Sequence, residues 1–248
     1  MNNYLNNVKT IQGVQNFQEF YSKIFSGKVS PYMAAVFVGT RVTPNQLTVA
    51  MIPLGILGGL MMAFGYVWVA FFGSLCFVLL NILDAADGEL ARFILKTSAY
   101  GDYLDRVAHY LTNSAFVMGL GLFLFHQFGD VRFLYLMFAC EIAIFGDEVV
   151  RDLLVTCGVI ALPDANAGTR KKTKGETKIV LSPIISNVWK ILFSNVAMFH
   201  ITPLLLLALL LFDGTIYVLA LYYLAFSAIA VLKLGIRARY VHRSVMQG

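Results

Sequence analysis

The chain alternates between long apolar runs and short polar breaks. Six apolar runs occupy about residues 44–64, 67–91, 101–126, 131–154, 190–212 and 214–236. Each is near the ~20 residues that an α-helix needs to cross a bilayer. The breaks at 65–67 and 213–214 are short enough for tight hairpins. Ahead of the first run, "VQNFQEFYSKIFSG" sets Val14, Phe17, Phe20, Tyr21, Ile24 and Phe25 at helical spacing, with polar residues on the other face. A helix that polar on one side does not span; it lies in the interface or packs on the protein's own surface. The pattern therefore predicts an all-α integral membrane protein, with six transmembrane helices preceded by an N-terminal amphipathic interfacial helix. It divides the chain into an N-terminal segment over 1–43, a six-helix membrane domain over 44–236 and a basic tail over 237–248. No internal repeat is visible.

Composition agrees. Of 248 residues, 58% are hydrophobic and 13% charged, about half the charged share of a soluble domain. The mean hydropathy is +0.72. The runs are continuous, which excludes the alternating strands of a membrane barrel. The net charge of +5 reads as topology and contact with anionic lipid, not as nucleic-acid binding. Arg92 and Lys96 lie between the second and third runs, and Arg170, Lys171, Lys172, Lys174 and Lys178 between the fourth and fifth. Lys233, Arg237, Arg239 and Arg243 end or follow the sixth, while the opposite side offers Arg132. The positive-inside rule then places both termini on the cytoplasmic side. The segment "DANAGTRKKTKGETK" has no apolar period and reads as a mobile basic loop. Cys76, Cys140 and Cys157 form no disulfide or zinc pattern and read as buried thiols. The first 30 residues hold no apolar core of signal-peptide type.

Against this background, "DAADGELARFILKTSAYGDYLDRVAHY", residues 84–110, is dense in acids. Asp84, Asp87, Gly88 and Ala91 follow the i, i+3, i+4, i+7 rule and share one helix face. Gly101, Asp105 and His109 recur every fourth residue and share another, with Asp102 at its edge. The short link over 96–100 lets the two helices run antiparallel with these faces together. Packed carboxylates in a poorly solvated place either protonate or take up cations, because leaving them ionised costs several kcal/mol each. Oxygen donors at this density suit Mg²⁺ or Mn²⁺. Gly88 and Ala91 leave room for a bulky ligand, and Arg92 offers a fork for phosphate. The competing view is salt bridging at a helix end, in which Arg92 and Arg106 neutralise the acids. Two bases are too few for Asp84, Asp87, Glu89, Asp102 and Asp105, and ionisable groups at membrane depth usually serve function.

"DAADGELAR", eight residues, then "GDYLDRVAH" resembles the signature of the CDP-alcohol phosphotransferase family, D-x2-D-G-x2-A-R-x8-G-x3-D-x3-D. Seven of its eight fixed positions match. "TPNQLT", residues 43–48, is also similar to the start of that family's first membrane helix. The resemblance implies a six-helix membrane enzyme, a homodimer, working on membrane lipid. Such an enzyme moves a substituted phosphate from a CDP-linked donor to an alcohol acceptor and releases CMP. It also implies two divalent ions, Mg²⁺ or Mn²⁺, with Asp84, Asp87 and Asp105 as ligands. Gly88, Ala91, Arg92 and Gly101 would shape the nucleotide pocket, with Asn45 and Thr48 contributing. On the same resemblance, Arg151 in "GDEVVRDLL" would hold an acceptor phosphate; otherwise it pairs along its helix with Asp147 or Glu148.

His109 stands where the family has its fourth aspartate, the residue assigned as general base. Three roles are open: catalytic base, since imidazole titrates near neutrality; metal ligand, which shifts preference from Mg²⁺ toward Mn²⁺ or another first-row ion; or the mark of a member that binds nucleotide or lipid without turnover. An intramembrane prenyltransferase would need two acidic motifs on distant helices. A transporter-like ion-binding protein would need a charged path across the bilayer; here the acids gather at one face. The acceptor's identity, and whether the lipid is donor or acceptor, are not readable.

Overall fold

A computed structural model describes residues 2–13, 25–156 and 194–246. Among them the chain forms α1 (Asn2–Gly13), α2 (Gly27–Phe37), α3 (Pro44–Ala63), α4 (Val67–Phe93), α5 (Ala99–Phe128), α6 (Arg132–Thr156), α7 (Asn195–Leu209) and α8 (Thr215–Met246), with no strand among the described residues.

Local chemistry sets the helix ends. Thr43 and Gln46 form a reciprocal capping box before α3: Gln46 N donates to Thr43 Oγ1 at 3.3 Å, and Thr43 N donates to Gln46 Oε1 at 2.9 Å. Pro44 follows at the first helical turn, where no amide partner is lost. Ser98 caps α5 by accepting from Gly101 N at 3.0 Å. Gly129 ends α5 at φ 63°, a left-handed conformation that costs glycine little. Leu95, between α4 and α5, takes the same region at φ 54°, at roughly 1–2 kcal/mol for a side chain with a Cβ.

Helix α3 packs most extensively on α4 and α5, α6 packs on α5 and α8, and α7 packs on α4. The contact of α3 with α5 is backbone to backbone. A Cβ at Gly59 would lie 2.4 Å from Ala115 O, and one at Gly119 would lie 2.5 Å from Gly59 O. Small residues at such crossings let two membrane helices approach closely. The main core contains Phe77 and Phe116 edge to face at 4.9 Å between centroids, with Phe199 of α7 at 4.9 Å from Phe116 and 5.2 Å from Phe77. This core ties α4 and α5 together through Phe77, Phe116 and Phe199.

Among the described residues four helices, α3, α4, α5 and Thr215–Arg239 of α8, are long and apolar enough to cross a membrane. The fourth expected span, α6, has the length, but Glu141, Asp147, Glu148, Arg151 and Asp152 interrupt its apolar character. The fifth, α7, is described over 15 residues. Helix α8 runs on through Arg237 and Arg239 to Met246, since arginine is a good helix former and no breaker intervenes; the sequence-based boundary at 236 falls inside it. The expected interfacial helix is described only from Phe25 onward, and its remainder, the basic loop over 164–178 and Cys157 lie outside the described residues. The helices α1 and α2 are additions to the sequence reading. They cover the C-terminal part of α4 with a small apolar cluster including Val8, Ile11, Ala34 and Leu90. Two buried polar contacts tie α2 to α4: Ser30 Oγ donates to Glu89 Oε1 at 2.8 Å, and Ser26 bonds Asn81. Phe25, Val29, Tyr32 and Val36 form an exposed stripe on the opposite face.

Candidate active site

A cleft of about 590 Å³ opens where the last turns of α4, the first turns of α5 and the start of α3 come together. From α4 it is lined by Asp84, Asp87, Gly88, Ala91 and Arg92. From α5 come Gly101, Asp102 and Asp105, and from α3 Pro44, Asn45 and Thr48. The residues singled out by spacing and motif on α3, α4 and α5 thus share one cavity, except His109, which is off its lining.

The donors do not all converge. One ligand atom each of Asp84, Asp105 and His109 lie within 4.8 Å of one another. His109 Nε2 is 3.3 Å from Asp84 Oδ1 and 3.4 Å from Asp105 Oδ1. Asp87 faces the same cleft but stands outside this trio; it is buried and its Oδ2 accepts the hydroxyl of Thr48. Thr48, expected as a nucleotide contact, therefore holds a carboxylate in place. Two carboxylates and an imidazole at this separation, with Asp87 beside them, suit a divalent cation.

The motif glycines have packing reasons. A Cβ on Gly88 would lie 3.2 Å from Arg92 Nη1, so the missing side chain lets the guanidinium fold back over the helix. A Cβ on Gly101 would lie 3.1 Å from Asn45 Oδ1 and 3.3 Å from Ser98 Oγ. The salt-bridge view of the acids loses its second base. Arg106 Nη1 is 3.2 Å from Asp152 Oδ1 on α6, turned away from Asp84 and Asp87.

A second cavity, of about 190 Å³, lies between α6, α7 and α8 and is lined by Asp147, Glu148, Arg151, Ser194 and Lys233 among others. Arg151 Nε is 3.3 Å from Asp152 Oδ1. Its spacing-based partners are otherwise engaged. Asp147 pairs with Arg237 of α8 at 3.0 Å, and Glu148 Oε1 accepts from Asn113 Nδ2 at 2.8 Å. Glu141, deeper in α6, accepts the hydroxyl of Ser114.

Sequence reasoning missed Ser98, Lys96, Asn113 and Lys233. Ser98 was legible as a helix N-cap. Lys96 sat in the link, weighed only as topology. Asn113 and Lys233 carry no local signal, because their neighbours come from helices distant in the chain.

Comparison with known proteins bears on the same region. A family model described as CDP-alcohol phosphatidyltransferase matches residues 41–227. Two relatives named "Bifunctional IPC transferase and DIPP synthase" are similar over part of the chain. That of Aquifex aeolicus is 34% identical over 103 residues, which is 40% of this chain and 21% of its own length. That of Thermococcus kodakarensis is 33% identical over 98 residues, 40% of this chain and 22% of its own. The similarity to these curated relatives thus spans about a fifth of their length. With the family match running from the start of α3 well into α8 and enclosing the acidic cleft, this chain belongs to the CDP-alcohol phosphatidyltransferase family.

Proposed function

We propose that the chain is a membrane phosphotransferase that moves a substituted phosphate from a CDP-linked donor to an alcohol and releases CMP, in phospholipid or related lipid synthesis. The observation that carries this reading is the single cleft joining three motif aspartates, Arg92 and the small residues Gly88, Ala91 and Gly101. Asp84, Asp87 and Asp105 would hold Mg²⁺ or Mn²⁺, one ion or a pair. Such an ion neutralises the diphosphate and eases departure of CMP.

The remaining work falls to the chain's own groups. Arg92, laid against Gly88, presents its fork to a phosphate of the donor. Gly88 and Gly101 keep the cleft wall at backbone height, so the nucleotide can lie close. Arg151 and Lys233 give the second cavity the cationic lining that suits a phosphate-bearing acceptor, and Glu148 offers an acceptor for one of its hydroxyls. His109, beside Asp84 and Asp105, has two roles open to it: taking the proton of the attacking hydroxyl, or ligating an ion. The distribution of basic residues favours a cytoplasmic site and cytoplasmic termini, and the family resemblance favours a homodimer.

The test is release of CMP. Purified protein in detergent is incubated with a CDP-linked lipid or a CDP-linked polyol, Mn²⁺ and a panel of alcohols that includes inositol phosphate and glycerol phosphate. CMP is expected only where donor and acceptor are both present, together with a product that mass spectrometry identifies. Binding of donor without CMP from any pair would instead make this a member that holds nucleotide without turnover.

A further inference from the structure

Resting on that reading, we infer that the ion site of this chain has a mixed nitrogen and oxygen shell: His109 ligates through Nε2 beside Asp84 and Asp105, and the site prefers Mn²⁺ or another first-row transition ion to Mg²⁺. The distances suit a cation shared by the three groups. A ring N–H donates to one carboxylate at about 2.7–3.2 Å. Here Nε2 is 3.3 Å from Asp84 Oδ1 and 3.4 Å from Asp105 Oδ1, nearly equidistant and beyond that range for both. Donors bound at about 2.0–2.2 Å to one small ion lie about 3.0–3.5 Å from each other. The spacing is that of neighbouring ligands around one ion.

Helix geometry places the nitrogen there. Asp105 and His109 are four residues apart on α5 and share its face, while Asp84 comes from α4 opposite. Asp87 stands in the same cleft beside the converged trio, one of its two oxygens held by Thr48. The trio therefore offers one imidazole and two carboxylates, where four acids would have offered oxygen alone. Two consequences follow. The trio carries one negative charge fewer than an all-aspartate trio, which weakens its hold on hard, strongly hydrated Mg²⁺. A neutral imidazole suits the later divalent ions, whose affinity for nitrogen rises along the first row. With Nε2 bound to an ion, this nitrogen does not take the acceptor's proton.

The measurement is pulsed electron paramagnetic resonance of Mn²⁺ bound to the full-length, untagged protein in detergent. The wild type is expected to show the ¹⁴N modulation of a directly bound imidazole. In His109→Asp, which keeps a ligating side chain and guards against misfolding, bound Mn²⁺ remains and the modulation disappears. Competition between Mg²⁺ and Mn²⁺ is expected to shift toward Mg²⁺ by about tenfold or more in that variant. Bound Mn²⁺ without nitrogen coupling in the wild type, or coupling that survives in His109→Asp, overturns the inference. If that happens while CMP release persists, the transferase reading stands and only the ligand assignment falls. If the wild type binds no divalent ion, both fall.

Discussion

Replacing Thr48 with valine removes one hydroxyl and preserves shape, yet it is expected to damage the ion site. Thr48 is buried on α3, and its hydroxyl reaches Asp87 Oδ2 while lying 3.2 Å from Pro44 O one turn back. One hydroxyl has one proton, and the closer carboxyl partner takes it. Asp87 is itself only 7% exposed, so water does not readily replace the lost donor. A hydrogen bond to a charged group contributes about 1.5–3 kcal/mol, and at about 1.4 kcal/mol per decade this is roughly 10- to 150-fold in an equilibrium constant. Loss of a group that orients a metal ligand commonly weakens binding by about 10–100-fold. Thr48→Val is therefore expected to weaken Mn²⁺ binding by about 10–100-fold without nucleotide, read by titrating free Mn²⁺. Thr48→Ser, which keeps the hydroxyl, is expected to restore most of it. If Thr48→Val binds Mn²⁺ like the wild type but loses affinity for the CDP-linked donor, Thr48 is a nucleotide contact and the positioning argument is wrong.

Gly59→Ala and Gly119→Ala each drive a Cβ into the backbone crossing of α3 with α5 and are expected to cost about 1–3 kcal/mol, seen as a lower thermal midpoint in detergent; an unchanged midpoint would mean the helices do not approach so closely. Arg151→Gln is expected to raise KM for a phosphorylated acceptor several-fold while leaving KM for the donor alone, and equal effects on both would remove the second cavity from the mechanism. Chelation is expected to abolish CMP release and added Mn²⁺ to restore it in the wild type. Asp105→Asn, which loses a shared carboxylate, is expected to remain inactive at Mn²⁺ concentrations that saturate the wild type.

Much of the site was readable because the motif is compact. Asp84, Asp87, Gly88 and Ala91 repeat at helical intervals, as do Gly101, Asp105 and His109, so two faces could be drawn without coordinates. The short link over 96–100 then required the faces to meet. Arg151 shows where such reasoning stops. Its helix neighbours Asp147 and Glu148 are correctly spaced, yet Arg237 and Asn113 from other helices engage them. Helix α2 went unread for a related reason. Its buried residues, Gly27, Ser30, Pro31, Ala34 and Ala35, are small and make no apolar run that would announce a packed face.

The sequence by itself determined that the chain is helical and membrane-embedded, because a long apolar run has to satisfy its backbone polar groups internally once water is removed. It also determined which acids share a helix face, because that depends only on 3.6 residues per turn. Which donors actually converge was decided by the tertiary structure. The rotation and spacing of α3, α4 and α5, set by glycine contacts and the Phe77, Phe116 and Phe199 core, bring His109 against Asp84 and Asp105 and give Asp87 to Thr48. Local spacing carries no information about the side chain that waits on the opposing helix.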